Sequence, residues 1–210
     1  MKTNSKLRER LREATTEAIL QAAEVVIAEE GLQTARVESI AQRAGTAVGT
    51  LYSYFKDRDA LLLALVEARR RDLYRLLDET NVRVEGQPFE VQLEATLRTF
   101  VGHIEKHPAV FAILLQGGPA GVHRTGGGNA SAYESSFELP GRIAKLTDFG
   151  VESGVLRPEL RELYPGLLLG MVRGVLKRDL FDAHRGSLAD RVPLLLSFFL
   201  QGGAVHRDNP

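Results

Sequence analysis

The stretch Val37-Glu-Ser-Ile-Ala-Gln-Arg-Ala-Gly-Thr-Ala-Val-Gly-Thr-Leu-Tyr-Ser-Tyr-Phe55 constrains this chain more than any other part of it. It reads as a short helix, a tight turn at Gly45 and a second short helix running into two tyrosines and a phenylalanine. Two such helices bury too little surface to stand alone and must lean on a longer one. That support is available from about Thr15 to Glu30, where Ile19, Ala22, Ala23, Val26 and Ile27 recur at three- and four-residue steps. Gly31 follows as a left-handed cap. A helix pair joined by a glycine turn commonly presents its second helix to the major groove of DNA.

The rest of the chain also carries helical periodicity. Asp57 stands where an N-cap is wanted and Asp59 in the first turn after it. Leu61, Leu62, Leu65, Val66, Leu73, Leu76 and Leu77 then sustain an amphipathic helix to about Glu79. Val82 to Pro88 is the expected break between regions. Leu93, Leu97, Phe100, Val101 and Ile104 define a helix ending near His107-Pro108, followed by a short apolar one over Val110 to Gln116. Residues 117–128 are glycine-rich and read as a loop. Helix resumes from about Ser131, or only after Pro140, and ends at Gly154. Two more run from Tyr164 to His184 and from Ser187 to Gly202, the last with Ser187 and Asp190 as a capping pair. Alternating strand patterns are missing, so the expected fold class is all-α. Residues 1–60 form the helix-turn-helix domain and residues 61–210 a helical bundle.

Composition limits the chemistry. With no cysteine, disulfides, thiolate metal sites and cysteine nucleophiles are excluded, and a reducing compartment fits. The amino terminus has no apolar signal region, and no apolar run approaches the ~18–20 residues of a membrane helix. A cytoplasmic protein with no membrane partner is expected. The loop at 117–128 lacks the Gly-Lys-Ser/Thr ending of a phosphate-binding loop, and neither His-Glu-x-x-His nor Gly-x-Ser-x-Gly occurs. His103 and His107 stand four apart without further ligands at metal spacing. The expectation is no enzyme, no cofactor and no metal. Net charge is zero, which argues against strong non-specific DNA affinity. Charge is nonetheless concentrated at the start: Lys2, Lys6, Arg8, Arg10 and Arg12 stand against Glu9. That arm reads equally as a solvated terminus and as a DNA-facing one.

The series Ile40-Ala41, Ala44-Gly45, Gly49-Thr50-Leu51-Tyr52, Tyr54-Phe55 and Leu61 resembles the amino-terminal domain of TetR-family transcriptional regulators. The similarity covers about residues 15–65; beyond it only the run of helices and the Gly154-Val-Leu-Arg-Pro158 turn resemble the family. The resemblance implies an all-helical homodimer that represses by binding operator double-stranded DNA. It also implies release by a small-molecule effector in a carboxy-terminal ligand-binding and dimerisation domain. Under it Thr46, Ala47, Val48, Gly49, Thr50 and Ser53 face the groove, with Ser39 on the helix before. Tyr52 and Tyr54 put hydroxyls on phosphates, Lys56 and Arg58 contact the flanking backbone, and Phe55 is core. Arg36 stands where the family commonly has a threonine cap. The second helix lacks Arg, Asn and Gln, the bidentate readers of bases. Specificity is therefore expected from thymine-methyl contacts, DNA shape and outside arginines such as Arg36.

In the carboxy-terminal region, Gly166, Gly170 and Gly174 repeat at four-residue spacing, although each costs about 0.8–1 kcal/mol in a helix. Close approach by another helix is implied, within one subunit or between two. With Leu195 and Phe199 on the last helix, the family arrangement would be a four-helix dimer interface. Phe100, His103, His107, Phe111, Phe137, Phe149 and Met171 are either effector-pocket lining or plain core. Arg142, Arg173 and Lys177 either meet an anionic ligand or sit on the surface. Two other readings stay open: a regulator without a small ligand, and a helical protein-interaction module whose helix-turn-helix no longer binds DNA.

Overall fold

The computed structural model describes residues 2–115, 138–180 and 187–203, and among these no strand occurs. The described residues form nine α-helices: α1 (Lys2–Glu30), α2 (Val37–Arg43), α3 (Val48–Tyr54), α4 (Arg58–Arg83), α5 (Phe89–Lys106), α6 (Pro108–Leu115), α7 (Leu139–Glu152), α8 (Tyr164–Leu180) and α9 (Val192–Gly203). Short 3₁₀ turns precede α8 (Pro158–Leu160) and α9 (Leu188–Arg191). The all-α class expected from the periodicity is what forms. The glycine-rich loop at 117–128 and the expected helix start at Ser131 lie outside the described residues, as do Phe137 and the expected end of α8 at His184.

Two compact units divide the chain, and they are not consecutive in sequence. One comprises residues 1–71 with 107–130, the other residues 72–106 with 131–210. The first unit therefore includes α6, which packs on α1, as well as the residues 1–60 expected to form a domain. Helix α4 passes from one unit to the other along its own length.

In the first unit the α1 stripe read from sequence forms the core: Ile19, Ala22, Ala23, Val26 and Ile27 are buried with Leu61, Leu62, Leu65 and Val66 of α4. Helix α1 ends where Gly31 takes φ +87° and returns its N–H to the Ile27 carbonyl at 2.9 Å. The α4 start is capped as expected, because Ala60 N–H donates to Asp57 Oδ1 at 2.8 Å. The far end of α4 runs one turn past the expected stop at Glu79, to Arg83.

In the second unit Phe89, Leu93, Leu97 and Val101 of α5 are buried alongside Ile143 of α7, Tyr164, Leu168, Val172 and Leu176 of α8, and Val192, Leu195 and Phe199 of α9. The Tyr164 hydroxyl donates to the Arg157 carbonyl and accepts from the Arg157 N–H, both at 3.0 Å, and its ring meets Phe199 edge-on at 5.7 Å. This ties the connection after α7 to α8 and α9. The Glu105 carboxylate accepts from the Leu188 N–H and the Ser187 hydroxyl, fixing the approach to α9, while Ser187 Oγ accepts from Ala189 N–H.

Space is tightest at Gly150 of α7. A Cβ there would lie 2.8 Å from Leu156 Cδ1 and from two atoms of the Phe89 ring, both residues being buried. Gly150→Ala is expected to lower stability by about 1–3 kcal/mol through overpacking, read as a drop in Tm. An unchanged Tm would mean that Phe89 and Leu156 have room to retreat.

Candidate nucleic-acid interface

The turn between α2 and α3 is set by backbone chemistry. Gly45 takes φ +65°, its N–H donates to Gln42 O at 3.1 Å, and Thr46 N–H donates to Ala41 O at 3.0 Å. Those two bonds satisfy the last carbonyls of α2 in the glycine-capped manner that reverses a helix in one step. A Cβ at Gly45 would touch nothing within 4 Å, so glycine is required for its positive φ rather than for space. Helix α2 is held by Val37, Ile40 and Ala41, all buried. It starts at Val37 although Arg36, at the N-cap, makes no side-chain capping bond and is exposed. An arginine in place of a capping residue has not displaced the helix.

Helix α3 buries a single residue, Leu51. Around that anchor Ala47, Gly49, Thr50, Tyr52 and Ser53 are exposed, while Thr46, Val48 and Tyr54 are half-buried. Tyr52 leaves 47 % of its surface open, which a core aromatic does not do. Phe55, by contrast, is buried as expected. Ser53 turns its hydroxyl back to the Thr50 carbonyl at 2.6 Å. Ser39 is half-buried on α2, and Lys56 is exposed just past α3.

Arg58 departs from its expected role on a flanking DNA backbone. Its guanidinium turns inward, Nε donating to Ala35 O at 3.3 Å and Nη2 to Leu32 O. These are the carbonyls of the α1–α2 connection, so Arg58 ties α4 to that connection. The basic arm is helical rather than frayed, forming the first turns of α1. Arg12 carries its guanidinium over the ring of Tyr54, 5.9 Å from the centroid, which brings the arm beside the end of α3.

Sequence reasoning gave no hint of a buried ion cluster behind these helices. Arg69 of α4 is 4 % exposed and stands between two carboxylates of α1. Its Nη2 lies 2.8 Å from Glu17 Oε1 and its Nε donates to Glu24 Oε2 at 3.0 Å; His107 Nδ1 donates to the other Glu24 oxygen at 2.8 Å. Burial pushes the guanidinium pKa down, but the Glu17 hydrogen bond and the field of both carboxylates outweigh it and raise it above its ordinary value. His107 is thus committed to the first unit. It falls after the end of α5, so it does not share a helix face with His103, which is buried in the second unit.

The described members of the expected pocket set are divided between the two units. Phe111 belongs with His107 to the first unit; Phe100, His103, Phe149 and Met171 belong to the second. The second unit does hold a cleft of about 620 Å³, and of the six described candidates only Phe149 lines it. Its floor is Leu77, Ile143, Leu146 and Phe149, and its polar rim includes Asn81, Gln92, Arg142 and Lys145. Phe100 lines a void of about 10 Å³ that shares Leu77, Thr96 and Ile143 with the cleft wall. Arg142 pairs with Asp78 and lies over the Tyr74 ring at 4.8 Å. The Arg142 hydrogen bond holds the Asp78 carboxyl below the usual carboxylate range.

Two expected interface residues need correction. Leu195 and Phe199 point into the core of their own unit and cannot face a partner. The outward residues are their neighbours, Leu194 at 64 % and Phe198 at 71 % exposure. Leu163, just before α8, and Leu167 on it are likewise exposed, as are Gly166, Gly170 and Gly174. Among the described residues, no atom outside the helix's own backbone lies within 4 Å of a Cβ built at any of those three glycines.

A short helix held by one buried leucine, turned outward by a glycine cap on a two-helix support, defines a helix-turn-helix protein. Residues 19–65 match the model of the family described as bacterial regulatory proteins, tetR family. It is 35 % identical over 102 residues to the HTH-type transcriptional regulator YvdT of Bacillus subtilis, an alignment covering 48 % of this chain and 51 % of YvdT. The chain thus spans about half the length of that relative. Its fold is similar to that of the fatty acid degradation regulator FadR of Bacillus halodurans, with TM-score 0.72 at 21 % identity over 90 % of this chain and 95 % of that one. FadR of B. subtilis, solved in complex with stearoyl-CoA, gives TM-score 0.71 at 18 % identity over 90 % and 99 %.

Proposed function

We propose that the protein is a homodimeric transcriptional regulator without enzymatic activity. In this reading it acts in the cytoplasm as a repressor, binds operator double-stranded DNA through α3 and is released by a small-molecule effector. The observation that carries the DNA-binding reading is the distribution around α3: Leu51 fully buried, Thr50, Tyr52 and Ser53 on open surface. Two copies of α3 about 34–36 Å apart would enter successive major grooves. Thr46, Ala47, Val48, Gly49 and Thr50 then meet base edges and thymine methyls. Tyr52, Tyr54, Lys56, Arg36 and Ser39 serve the backbone beside them.

The cleft of the second unit suits the effector, since its volume falls within the ~300–1,000 Å³ of ligand sites. An apolar floor under a rim of Asn81, Gln92, Asp78, Glu138, Arg142 and Lys145, in which Arg142 is already paired with both carboxylates, fits an amphiphile with a hydrogen-bonding end. The stearoyl-CoA bound by the B. subtilis FadR structure is an amphiphile of that general kind. An effector that prefers a different separation of the two α3 helices would shift the population away from the DNA-binding form.

A gel shift on DNA upstream of the protein's own coding region, at two salt concentrations, tests the reading. Binding that weakens with salt is expected. Val48→Ala with Thr50→Ala is expected to relax discrimination at the contacted base pairs by about 1–3 kcal/mol each. An unchanged sequence preference in that variant would end direct readout by α3. Thermal-shift screening addresses the effector, because a ligand that binds the fold raises Tm.

A further inference from the structure

We infer that the amino-terminal turns of α1 form a second DNA-contacting element, in which Arg8 and Arg12 engage phosphates beside the groove that α3 enters. The inference rests on the DNA-binding reading of α3 and extends it to a helix outside the helix-turn-helix. The line of α1 that the first unit buries runs through Ile27, Ala23 and Ile19. Continued two turns towards the amino terminus, seven residues on, that line reaches Arg12, and one turn further it reaches Arg8. The side of the helix that is apolar inside the unit therefore becomes cationic where the helix runs past it, and both arginines are exposed.

The direction of this face is fixed by contact. Arg12 lies over the ring of Tyr54, at the carboxy-terminal end of α3, so the Arg12–Arg8 edge lies beside the side of α3 that carries Tyr54 and, one turn earlier, the exposed Thr50. Helical spacing turns Lys6 and Arg10 well away from that edge. Glu9 and Glu13 lie between the two sets, with exposed Leu7 and Leu11 on the remaining flank. Across residues 6–13 four cations stand against two carboxylates, and the two cations on this edge, Arg8 and Arg12, match a polyanion continuous with the α3 surface. Double-stranded DNA is the occupant that satisfies both the charge and the adjacency.

The same chain supplies its own control. The affinity of the full-length protein for a bound duplex is measured between ~50 and ~200 mM salt for the wild type, R8Q/R12Q, K6Q/R10Q and the single R8Q. Each lost phosphate contact removes about 0.9 from the log–log salt slope. R8Q/R12Q is expected to flatten the slope by about 1.8, so that the wild type loses about 12-fold more affinity than the variant over that range. R8Q, which leaves the Arg12–Tyr54 contact intact, is expected to give about half that slope change, and K6Q/R10Q clearly less than R8Q/R12Q. Sequence preference and Tm are expected to stay as in the wild type. Equal slope changes from the two double variants, or none from R8Q/R12Q, would overturn the inference while leaving α3 binding intact. A wild type that binds no duplex would overturn both.

Discussion

Arg69→Ala is expected to destabilise the first unit by about 3–5 kcal/mol, a large part of the ~5–15 kcal/mol that holds a typical domain together. The Arg69 side chain is almost wholly buried and links α4 to two carboxylates of α1. Glu17 is exposed enough to find water in its absence, but the Glu24 side chain is only 15 % exposed. Without the guanidinium, Glu24 keeps a buried charge that only the His107 contact described above is left to offset. That uncompensated desolvation, rather than the intrinsic strength of the ion pair, is the source of the effect. The companion variant Arg69→Met with Glu24→Gln removes both charges and is expected to recover most of the loss, giving a coupling in a double-mutant cycle. Denaturant unfolding reads both. A loss below 1 kcal/mol for Arg69→Ala would mean that the cluster is well hydrated.

The second large effect is expected at the outer face of α8 and α9. Leu194→Asp with Phe198→Asp places two carboxylates on two strongly exposed apolar residues of the second unit, which also exposes Leu163, Leu167 and three open glycines. If this face is the seam between two copies, each copy must desolvate those charges against apolar surface, and the dimer fails. Two tethered recognition helices bind DNA about 10²–10⁴-fold more tightly than one alone, so duplex affinity is expected to fall by that factor. Monomer fold should survive, since neither residue belongs to the core. Sedimentation with a parallel DNA titration reads the outcome; a variant that stays dimeric with wild-type affinity would place the seam elsewhere.

The helix-turn-helix was legible because its determinants are local. Gly45 at one position, small apolar residues at Ile40, Ala41 and Ala44, and Leu51 at helical spacing leave little choice of turn or packing face. The capping role of Asp57 was readable for the same reason. The outer and inner sides of α9 were not, because Leu194-Leu195-Leu196 and Phe198-Phe199 are runs of like residues. A one-residue step rotates a helical side chain by about 100°, and nothing in such a run marks which member faces inward. Arg58 and Lys56 look equivalent in sequence, yet only Arg58 is within reach of the Leu32 and Ala35 carbonyls. The Arg69 cluster joins residues 45 and 83 positions apart. No spacing rule reaches that far. The pocket candidates are six aromatic or histidine side chains and Met171, whereas the cleft wall is mostly aliphatic and polar.

The account rests on α3 acting as one of a symmetric pair of DNA-reading rods, and selection of bound duplexes from a random pool tests this most directly. The full-length protein is expected to enrich a two-fold symmetric site whose half-sites lie one helical turn, about 10–10.5 base pairs, or a multiple of it apart. A pool that shows no enrichment at low salt, or an enriched site with no internal symmetry, would contradict it.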